Sequence, residues 1–253
     1  MKLRIGTLNC QNNLENRTKP DNAAKLAKHI NDTKYNILGT QEFTINFTNY
    51  LKKNLKEYNI YGKFQYGKFL FGTKFPIVKD FNQSNKIITD YEILKKKTYI
   101  LPWFPFKWKD FKKAFKKKCI MPRLATFIKC NIDNRDVYIF NVHLDYYIYD
   151  VQRRQLVKLL KLIKKFRNKG SIVLMGDFNL ELDEQLFLDF IDDLDKLGIK
   201  RVPITEKTNS TKYRSKSAID HIFLSDDFKI IDYKTIDIYD ITDHKAIMVD
   251  VEY

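Results

Sequence analysis

The sequence predicts an α/β fold. Short apolar runs of strand length alternate with longer stretches whose apolar residues recur at helical spacing. Several of these runs end in a carboxylate, an amide or an imidazole, and α/β proteins place their sites at such strand ends. Residues 58–84 instead carry alternating aromatic and polar residues with Gly62, Gly67 and Gly72 between them, which predicts short antiparallel strands and hairpins. This change of pattern argues against a plain Rossmann-type sheet.

Length and composition bound the class of protein. The 253 residues fit one large domain or two small ones, and 44% hydrophobic residues suffice for a full core. The chain has no apolar run of about 18 residues, so we expect no membrane-spanning helix, and its first ten residues lack the apolar segment of a signal peptide. Three cysteines without metal-type spacing favour a reducing compartment. We therefore expect a cytoplasmic protein.

The net charge of +15, from 46 Lys and Arg against 31 Asp and Glu, attracts polyanions. Nucleic acid, anionic lipid headgroups and phosphorylated small molecules all fit this charge. Codon bias is a second explanation, because Lys, Asn, Ile and Tyr are abundant throughout the chain, as AT-biased genomes encode. The charge supports an anionic substrate without identifying it.

The first sixty residues alternate between strands and helices. Asn9 follows the first predicted strand and Glu42 follows the second. A lone Glu at a strand end is commonly a solvated surface residue. Glu42 therefore indicates a functional site only in combination with the other motifs. Asp21 is a suitable N-cap for the first helix, which Pro20 opens. The predicted elements are strands over 2–8 and 36–39, a helix from residue 20 and a helix over 47–56.

The stretch 95–118 differs from its surroundings. It holds ten lysines, one acid and both tryptophans of the chain, and Pro102 and Pro105 oppose a continuous helix over 99–106. Lysines interleaved with aromatic residues suit three settings: a phosphate backbone with stacked bases, a membrane interface, or a solvated loop anchored in the core. The first setting predicts nucleic-acid contacts by Trp103, Trp108, Lys112, Lys113, Lys116 and Lys117.

Two strands in the middle of the chain have polar side chains at their ends. A predicted strand over 121–130 contains Arg123, which fits a bidentate phosphate contact or a surface ion pair. The next strand, over 136–142, is followed by His143, with Asp145 as a supporting carboxylate. This arrangement suits proton transfer or phosphate binding, although a lone histidine is often structural.

The sequence SIVLMGDFN at 171–179 is the strongest single motif. Its apolar run over 171–175 predicts a buried strand, and Gly176 permits a sharp turn. Asp177 and Asn179 then follow the strand. A carboxylate and an amide beside a buried strand are costly unless they bind something, but Asp and Asn are also ordinary turn residues.

Carboxylates and histidines recur in the last third of the chain. Asp220 lies in a predicted strand beside His221, and Asp243 and His244 lead into the final strand. The remaining predicted elements are helices over 150–166 and 184–197, a polar loop over 203–217, and strands over 219–224, 228–238 and 246–251.

In this order the motifs resemble the endonuclease/exonuclease/phosphatase superfamily, which has the DNase I-like fold. The matching motifs are TLNCQN at the start, GTQE at 39–42, PRLATF at 122–127, NVHLD at 141–145, GDFN at 176–179, IDHIF at 219–223 and TDHKA at 242–246. Each is weak singly, but GDFN and a terminal DH with ordered QE and HLD form a specific combination. The segment 143–160 is similar to the small bacterial members.

The resemblance implies a single domain over 1–253 with a four-layer α-β-β-α sandwich. Two packed, mostly antiparallel sheets would be flanked by helices, with the site at one edge and 95–118 as an insertion-like stretch. It also implies hydrolysis of a phosphodiester or phosphomonoester with Mg²⁺ or Mn²⁺. Glu42 is the first choice of metal ligand, with Asn9 beside it and Asp243 as a second, weaker position.

The resemblance further implies catalytic roles for five residues. Asp177 would orient or deprotonate the attacking water, and Asn179 would hold that water or a phosphate oxygen. His244 would act on the phosphate or as general base, oriented by Asp220. His143 would hydrogen-bond the phosphate or protonate the leaving oxygen. The phosphate-binding set is Arg123, Asn179 and His143. Many relatives have an aromatic residue or Arg at the position of His221, so we assign His221 a structural role.

The substrate is less determined than the chemistry. A metal-dependent nuclease is the first hypothesis, because of the charge and the stretch 95–118. A phospholipid or small phosphate-ester hydrolase is the alternative, in which the aromatic residues at 99–108 would contact a membrane. The IDHIF motif departs from the Cys-Asp-Arg motif of phosphoinositide 5-phosphatases and argues against them. A silent binding protein on the same fold is the third hypothesis, which the intact motifs oppose. We expect a monomer.

Overall fold

The computed structural model describes residues 1–10, 20–63, 83–116, 122–209 and 216–253, which form twelve strands and five helices. The strands are β1 (Lys2–Asn9), β2 (Ile37–Phe43), β3 (Asn59–Tyr61), β4 (Ser84–Thr89), β5 (Lys95–Leu101), β6 (Arg123–Ile132), β7 (Arg135–His143), β8 (Ser171–Asp177), β9 (Ile199–Arg201), β10 (Asp220–Ser225), β11 (Lys229–Ile236) and β12 (Ala246–Glu252). The helices are α1 (Pro20–Thr33), α2 (Ile45–Asn54), α3 (Trp108–Lys116), α4 (Tyr149–Arg167) and α5 (Gln185–Asp195).

The strands form two six-stranded sheets. The first sheet has the order β11-β12-β1-β2-β4-β3, and the second has the order β5-β6-β7-β8-β10-β9. Most neighbours are antiparallel, but β1 pairs with β2 and β7 pairs with β8 in parallel. One apolar layer lies between the sheets, a second under α1 and α2, and a third under α4 and α5. The predicted four-layer sandwich is confirmed.

The two parallel pairs place polar residues at one edge of the sandwich. β1 ends at Asn9, which pairs with Gln41 of β2. β7 ends at His143, which pairs with Asp177 at the end of β8. Because β1 packs on β8 and β2 packs on β7, these four strand ends meet. The edge predicted from the sequence is thus formed by two equivalent parallel pairs, one in each sheet.

Two glycines allow the close approach that this edge requires. Gly176 has φ +143°, and a Cβ there would lie 2.0 Å from the carbonyl oxygen of Val142. Only glycine fits, so β8 can lie this close to β7 directly before Asp177. Gly39 in β2 faces the second sheet, where a Cβ would lie 2.9 Å from the Met175 side chain.

A buried polar network joins the sheets just below the site. Asn141 Nδ2 in β7 donates to the carbonyls of Thr40 and Lys86 at 2.9 and 2.7 Å. Gln41 Nε2 donates to Asn141 Oδ1 at 2.6 Å and to Thr7 Oγ1 at 3.0 Å. The network fixes β7 against β2 and β4, since a shift would leave buried polar groups unpaired.

The structure differs from the predicted elements in several places. β2 continues to Phe43 instead of ending at 39, and β4 and β9 have no counterpart among the predicted strands. Within 95–116, β5 pairs with β6 along its whole length and α3 follows, and neither element was predicted. Of the hairpins predicted over 58–84, residues 64–82 lie outside the described residues. No helix in the described part of the chain is long and apolar enough to cross a membrane.

Candidate active site

The centre of the site is a contact between the two sheets, from Asn9 of β1 to Asp177 of β8. Asn9 Nδ2 donates to Asp177 Oδ2 at 2.8 Å, and both side chains are buried. The other oxygen of Asp177 accepts the backbone N–H of Asn179 at 2.9 Å. Asn9 Oδ1 is buried and has no hydrogen-bond partner among the described residues. Leaving a buried acceptor unpaired costs about 1–3 kcal/mol, so a cation or a donor bound at this atom would be stabilising.

A second group, beside Asp177, consists of His244, Asp220 and Thr208. β10 places Asp220 directly opposite Asp177. His244 Nδ1 donates to Asp220 Oδ2 at 2.8 Å, and the Thr208 hydroxyl donates to the same oxygen at 2.7 Å. Thr208 Oγ1 also accepts the backbone N–H of Asp220 at 3.2 Å. The imidazole is therefore held with Nδ1 toward Asp220, so Nε2 is the nitrogen that can meet a substrate.

A third group consists of Glu42, Gln83 and His143. The pairing of β2 with β4 shifts between Thr40 and Phe43, so Gln41 and Glu42 lie in a bulge. Glu42 has φ +54°, which turns its side chain toward the site. Gln83 Nε2 donates to Glu42 Oε2 at 2.9 Å.

His143 bridges the third group and the centre of the site. Its Nε2 lies 4.0 Å from Glu42 Oε1 and 3.8 Å from Asp177 Oδ2. The side chain is 6% exposed. One imidazole nitrogen thus faces a carboxylate from each sheet.

Arg123, at the start of β6, is a buried cation beside this edge. It is 2% exposed, and its Nε has no hydrogen-bond partner among the described residues. Its charge acts on both Glu42 and His143. A buried guanidinium with an unpaired N–H favours a bound anion. Its burial does not fit the alternative of a surface ion pair, and its assignment as a phosphate-binding residue stays a prediction.

The carboxyl groups of Asp177 and Glu42 are harder to ionise than usual. Burial and the nearby Asp220 charge raise the pKa of Asp177 to about 7, against the opposing effect of His244. Burial also raises the pKa of Glu42, although Arg123 opposes this. Both groups would be stabilised as carboxylates by a bound cation.

The two histidines differ in charge. Burial, followed by the positive charges of Arg123 and His244, holds the pKa of His143 well below its ordinary value. Burial also lowers the pKa of His244, but Asp220, by charge and by hydrogen bond, raises it overall to about 10. At neutral pH the site therefore has one neutral imidazole and one imidazolium.

The residues present fit a divalent cation. In the described residues, the ligand atoms of Asp177, Asp220 and His244 all lie within 4.8 Å of one another. Asp220 and His244 already bind each other, however, so the oxygens of Glu42 and the unpaired Asn9 Oδ1 are the better ligands. Hard oxygen donors of this kind suit Mg²⁺ or Mn²⁺. The assignment of Glu42 and Asn9 as ligands stays a prediction.

Three further predicted residues differ in exposure, since Asn179 is half-buried and Asp145 is buried. Asn179 has φ +51°, and its Nδ2 donates to the Leu144 carbonyl at 3.1 Å. Asp243 is half-buried, and its charge acts on Glu42 and His244. Asp145 Oδ1 accepts the backbone N–H groups of residues 147 and 148, so it shapes the loop before α4 and its hydrogen bonds do not support His143 as expected.

His221 is separate from the catalytic set. It is 1% exposed and packs against Phe178, Phe187 and Phe223. Its Nε2 donates to the Leu180 carbonyl at 3.4 Å. Burial lowers its pKa to about 3. These surroundings agree with the structural role assigned from the sequence.

The predicted nucleic-acid residues are not part of the buried cluster. Trp103 is half-buried, and Trp108 and Lys112 are exposed on or near α3. Lys113 and Lys116 lie in α3, but their side chains are outside the description, and Lys117 lies outside the described residues.

Sequence reasoning did not identify Thr208 or Gln83. Thr208 lies in a polar loop with several other hydroxyl residues, and no local pattern distinguishes it. Gln83 follows a segment without a clear strand pattern. Each is recognised only by its partner, which lies 12 residues away for Thr208 and 41 for Gln83.

Comparison with known proteins identifies the family and the fold. The model of the Endonuclease/Exonuclease/phosphatase family matches residues 6–244. A solved family structure from Bacteroides vulgatus is similar at TM-score 0.76 and 18% identity, covering 100% of this chain and 99% of that chain. No curated protein matches the chain significantly.

Two further solved structures share the fold. A mannosyl-6-phosphatase from Bacteroides thetaiotaomicron has TM-score 0.72 and 19% identity, covering 99% of this chain and 100% of that chain. TDP2 from D. rerio, complexed with a single-strand DNA product, has TM-score 0.67 and 16% identity, covering 100% and 99%. At these identities the structures establish the fold alone.

Proposed function

The chain belongs to the endonuclease/exonuclease/phosphatase family, whose members hydrolyse phosphoester bonds, and from that premise we propose that it is a divalent-metal-dependent nuclease. The observation that most supports this is the meeting of Asn9 and Asp177 beside the Asp220–His244 pair. It combines a buried carboxylate, an unpaired amide oxygen and a fixed imidazolium in one place. These are the groups that attack of water on a phosphodiester requires.

Asp177 is the group that orients the attacking water. Its pKa of about 7 lets it accept a proton from water near neutral pH. Asn9 Nδ2 and the Asn179 N–H fix its two oxygens, so the carboxylate cannot rotate.

His244, His143 and Arg123 bind the phosphoryl group. His244, held as an imidazolium by Asp220, donates from Nε2 to a phosphate oxygen. His143 is neutral, so it contributes a hydrogen bond to the phosphate or to the leaving oxygen. Arg123 supplies a second positive charge from the side of β6. Positive groups placed where charge develops stabilise the transition state most.

Glu42 and Asn9 would hold Mg²⁺ or Mn²⁺, with Asp243 as a weaker second position. When bound, the cation would polarise a phosphoryl oxygen and stabilise the leaving oxygen. Gln83 holds Glu42 in the orientation this requires.

Nucleic acid is the substrate that the rest of the molecule supports best. The chain has a net charge of +15, and Lys95, Lys96 and Lys97 line an exposed edge strand. TDP2 with a single-strand DNA product is one of the structural neighbours. The site combines residues from both ends of the sequence, which supports one domain, and we propose that this domain acts on its substrate as a monomer.

Hydrolysis of a phospholipid or a small phosphate ester is the second candidate. The exposed Phe106 and Trp108 favour a membrane surface, and a mannosyl-6-phosphatase is another structural neighbour. The catalytic groups described above would act equally on these substrates.

One assay separates these candidates. Purified protein with Mg²⁺ or Mn²⁺, with and without EDTA, is incubated with supercoiled plasmid, with single-stranded DNA, with vesicles containing sphingomyelin or phosphatidylserine, and with mannose 6-phosphate. Asp177→Asn is the inactive control, and Asp183→Asn, at an exposed position, is the matched control. We expect cleavage of at least one of the two DNA substrates, which EDTA and Asp177→Asn abolish. Lipid or sugar-phosphate hydrolysis without cleavage of either DNA would replace the nuclease assignment with the second candidate.

A further inference from the structure

Three aromatic side chains project from the surface between β5 and α3. Phe104 is 49% exposed, Phe106 is 78% exposed and Trp108 is 66% exposed. Clustered exposed rings on a folded protein mark an interaction surface, because single exposed apolar residues are common but adjacent ones are not. We call these three residues, with Phe111, the aromatic platform.

The rings of the aromatic platform have fixed positions. Trp108 stacks on Phe111 with centroids 5.1 Å apart and planes inclined by 15°. Phe104 contacts the same Phe111 ring at 5.1 Å. Phe106 lies against the Arg154 guanidinium, whose carbon is 4.0 Å from the ring centroid. Rings that are already ordered lose little entropy when a ligand stacks on them.

Helix α4 holds the backbone of the platform. Arg154 Nη2 donates to the Phe104 carbonyl at 2.6 Å, and its Nε donates to Asp150 at 3.0 Å. Gln155 Nε2 donates to the Pro102 carbonyl at 2.7 Å. The segment between β5 and α3 is therefore fastened to α4 at two points.

The same contacts connect the platform with the candidate active site. Gln155 Oε1 accepts the backbone N–H of Asp145, two residues beyond His143. Leu101, the last residue of β5, pairs with Arg123. The platform thus begins three residues after a position paired with Arg123, the predicted phosphate-binding residue.

Positive charge surrounds the rings. Lys107, Lys109 and Lys112 are all exposed, and Lys112 Nζ lies 5.5 Å from the Trp108 ring centroid. Rings with lysines between them match a chain of bases joined by phosphates.

We propose that the aromatic platform binds single-stranded nucleic acid, with unpaired bases stacked on Phe104, Phe106 and Trp108 and the phosphates beside the lysines. The adjoining phosphodiester would then reach the candidate active site. Duplex DNA does not fit, since its bases are already stacked on one another and present no free face to the rings. This inference rests on the proposed function and narrows its substrate to single strands or single-stranded ends.

Membrane insertion is less compatible with the platform. One face of Phe106 is covered by Arg154, whose side chain is only 16% exposed. Burying Phe106 among lipid chains would bury that guanidinium too, which is costly. A stacked base needs only the other face of the ring and tolerates the cation.

Binding measurements without cleavage test the inference. Fluorescence anisotropy in EDTA compares a labelled oligothymidylate with a duplex of the same length. We expect the single strand to bind at least about tenfold more tightly, and Phe106→Ala and Trp108→Ala each to weaken it roughly tenfold. Both residues are exposed, so neither change should unfold the protein. Tyr233→Ala is the matched control, because Tyr233 is 40% exposed on β11 at the other side of the sandwich.

The inference would be overturned if the single strand and the duplex bind with equal affinity. It would also be overturned if Phe106→Ala and Trp108→Ala leave the affinity for the single strand unchanged. If both variants lose binding to phosphatidylserine vesicles and keep their affinity for oligothymidylate, the platform is a membrane-binding surface and the inference is wrong. The proposed function is judged separately by cleavage with Mg²⁺. Platform-dependent binding without any cleavage would support the inference and remove the nuclease assignment. Cleavage at equal rates on single strands and duplexes, unaffected by Phe106→Ala and Trp108→Ala, would support the nuclease assignment and overturn the inference.

Discussion

The candidate active site and the aromatic platform are built in opposite ways. The residues Asn9, Asp177, Asp220 and His244 are at most 5% exposed, and they come from segments distributed over the whole chain. Phe104, Phe106 and Trp108 of the platform are 49–78% exposed and come from one short segment that α4 holds. The candidate active site therefore depends on how distant parts of the chain are brought together, whereas the aromatic platform depends on one local segment of sequence.

This difference predicts how each region responds to substitution. Polar groups in the site satisfy one another, so removing one leaves a buried partner unpaired. Removing a platform side chain exposes its neighbours to water at little cost. Substitutions in the site should therefore reduce activity severely. Substitutions in the platform should weaken binding in smaller steps, and the size of the effect should depend on salt.

Asp177→Asn is expected to have the largest effect. The amide cannot accept a proton from water, and it removes the carboxylate that faces Asn9 and His143. We expect kcat/KM on plasmid or oligonucleotide to fall roughly 10²–10⁴-fold. The circular dichroism spectrum should not change. Full activity in a folded variant would show that Asp177 does not act on the water.

Thr208→Val comes next. It removes the hydroxyl that donates to Asp220 Oδ2, so the carboxylate that orients His244 loses one of its two bonds at this oxygen. A loss of roughly 10–100-fold in kcat is expected, as for other supports of a functional side chain. Thr208→Ser, which keeps the hydroxyl, should restore most of the activity. If Ser and Val variants behave alike, the hydroxyl is not the reason for the defect.

His221→Phe tests a buried histidine that is next to Asp220 in sequence but outside the cluster. Its folded pKa is about 3, below the ordinary value of 6.5. Between these values the unfolded chain binds a proton that the folded protein does not, so His221 lowers stability as pH falls from 6.5 toward 3. At pH 5 this amounts to roughly 2 kcal/mol.

Urea unfolding at pH 8 and pH 5 measures this effect. The wild-type protein should lose roughly 2 kcal/mol more than His221→Phe between the two pH values. All other titrating groups are common to both proteins, so the difference isolates this histidine. Equal losses would mean that His221 gains a proton without unfolding.

The smallest effect is expected from the platform lysines. Replacing Lys107 and Lys112 by Gln removes two exposed positive charges without touching the buried site. The dependence of log binding constant on log salt should become shallower by about 1.4 for a single strand. Turnover at saturating substrate should not change. A salt dependence identical to that of the wild-type protein would exclude both lysines from phosphate contact.

Much of the fold and part of the site were accessible from the sequence. The apolar runs that end in Asn9, His143 and Asp177 predict strands and place these residues at strand ends, and the structure brings those ends together. GDFN was informative because Gly176 is required by the close Val142 carbonyl, which makes the motif specific.

The remainder depends on pairing that no local pattern encodes. Glu42 reaches the site because β2 bulges against β4, and β4 was not predicted. Thr208 lies in a loop that is polar throughout, and its role appears only when β10 is opposite β8. Within 95–118, the lysines of β5 obscured a strand whose edge position explains its charge.

The bond from Thr242 Oγ1 to the Asn9 carbonyl joins residues 233 positions apart. Protein synthesis proceeds from one to the other, so the ribosome makes Asn9 long before the strand that completes its sheet. The candidate active site therefore forms only after His244, near the end of the chain, has been synthesised, whereas the residues of the aromatic platform are made when less than half of the chain exists.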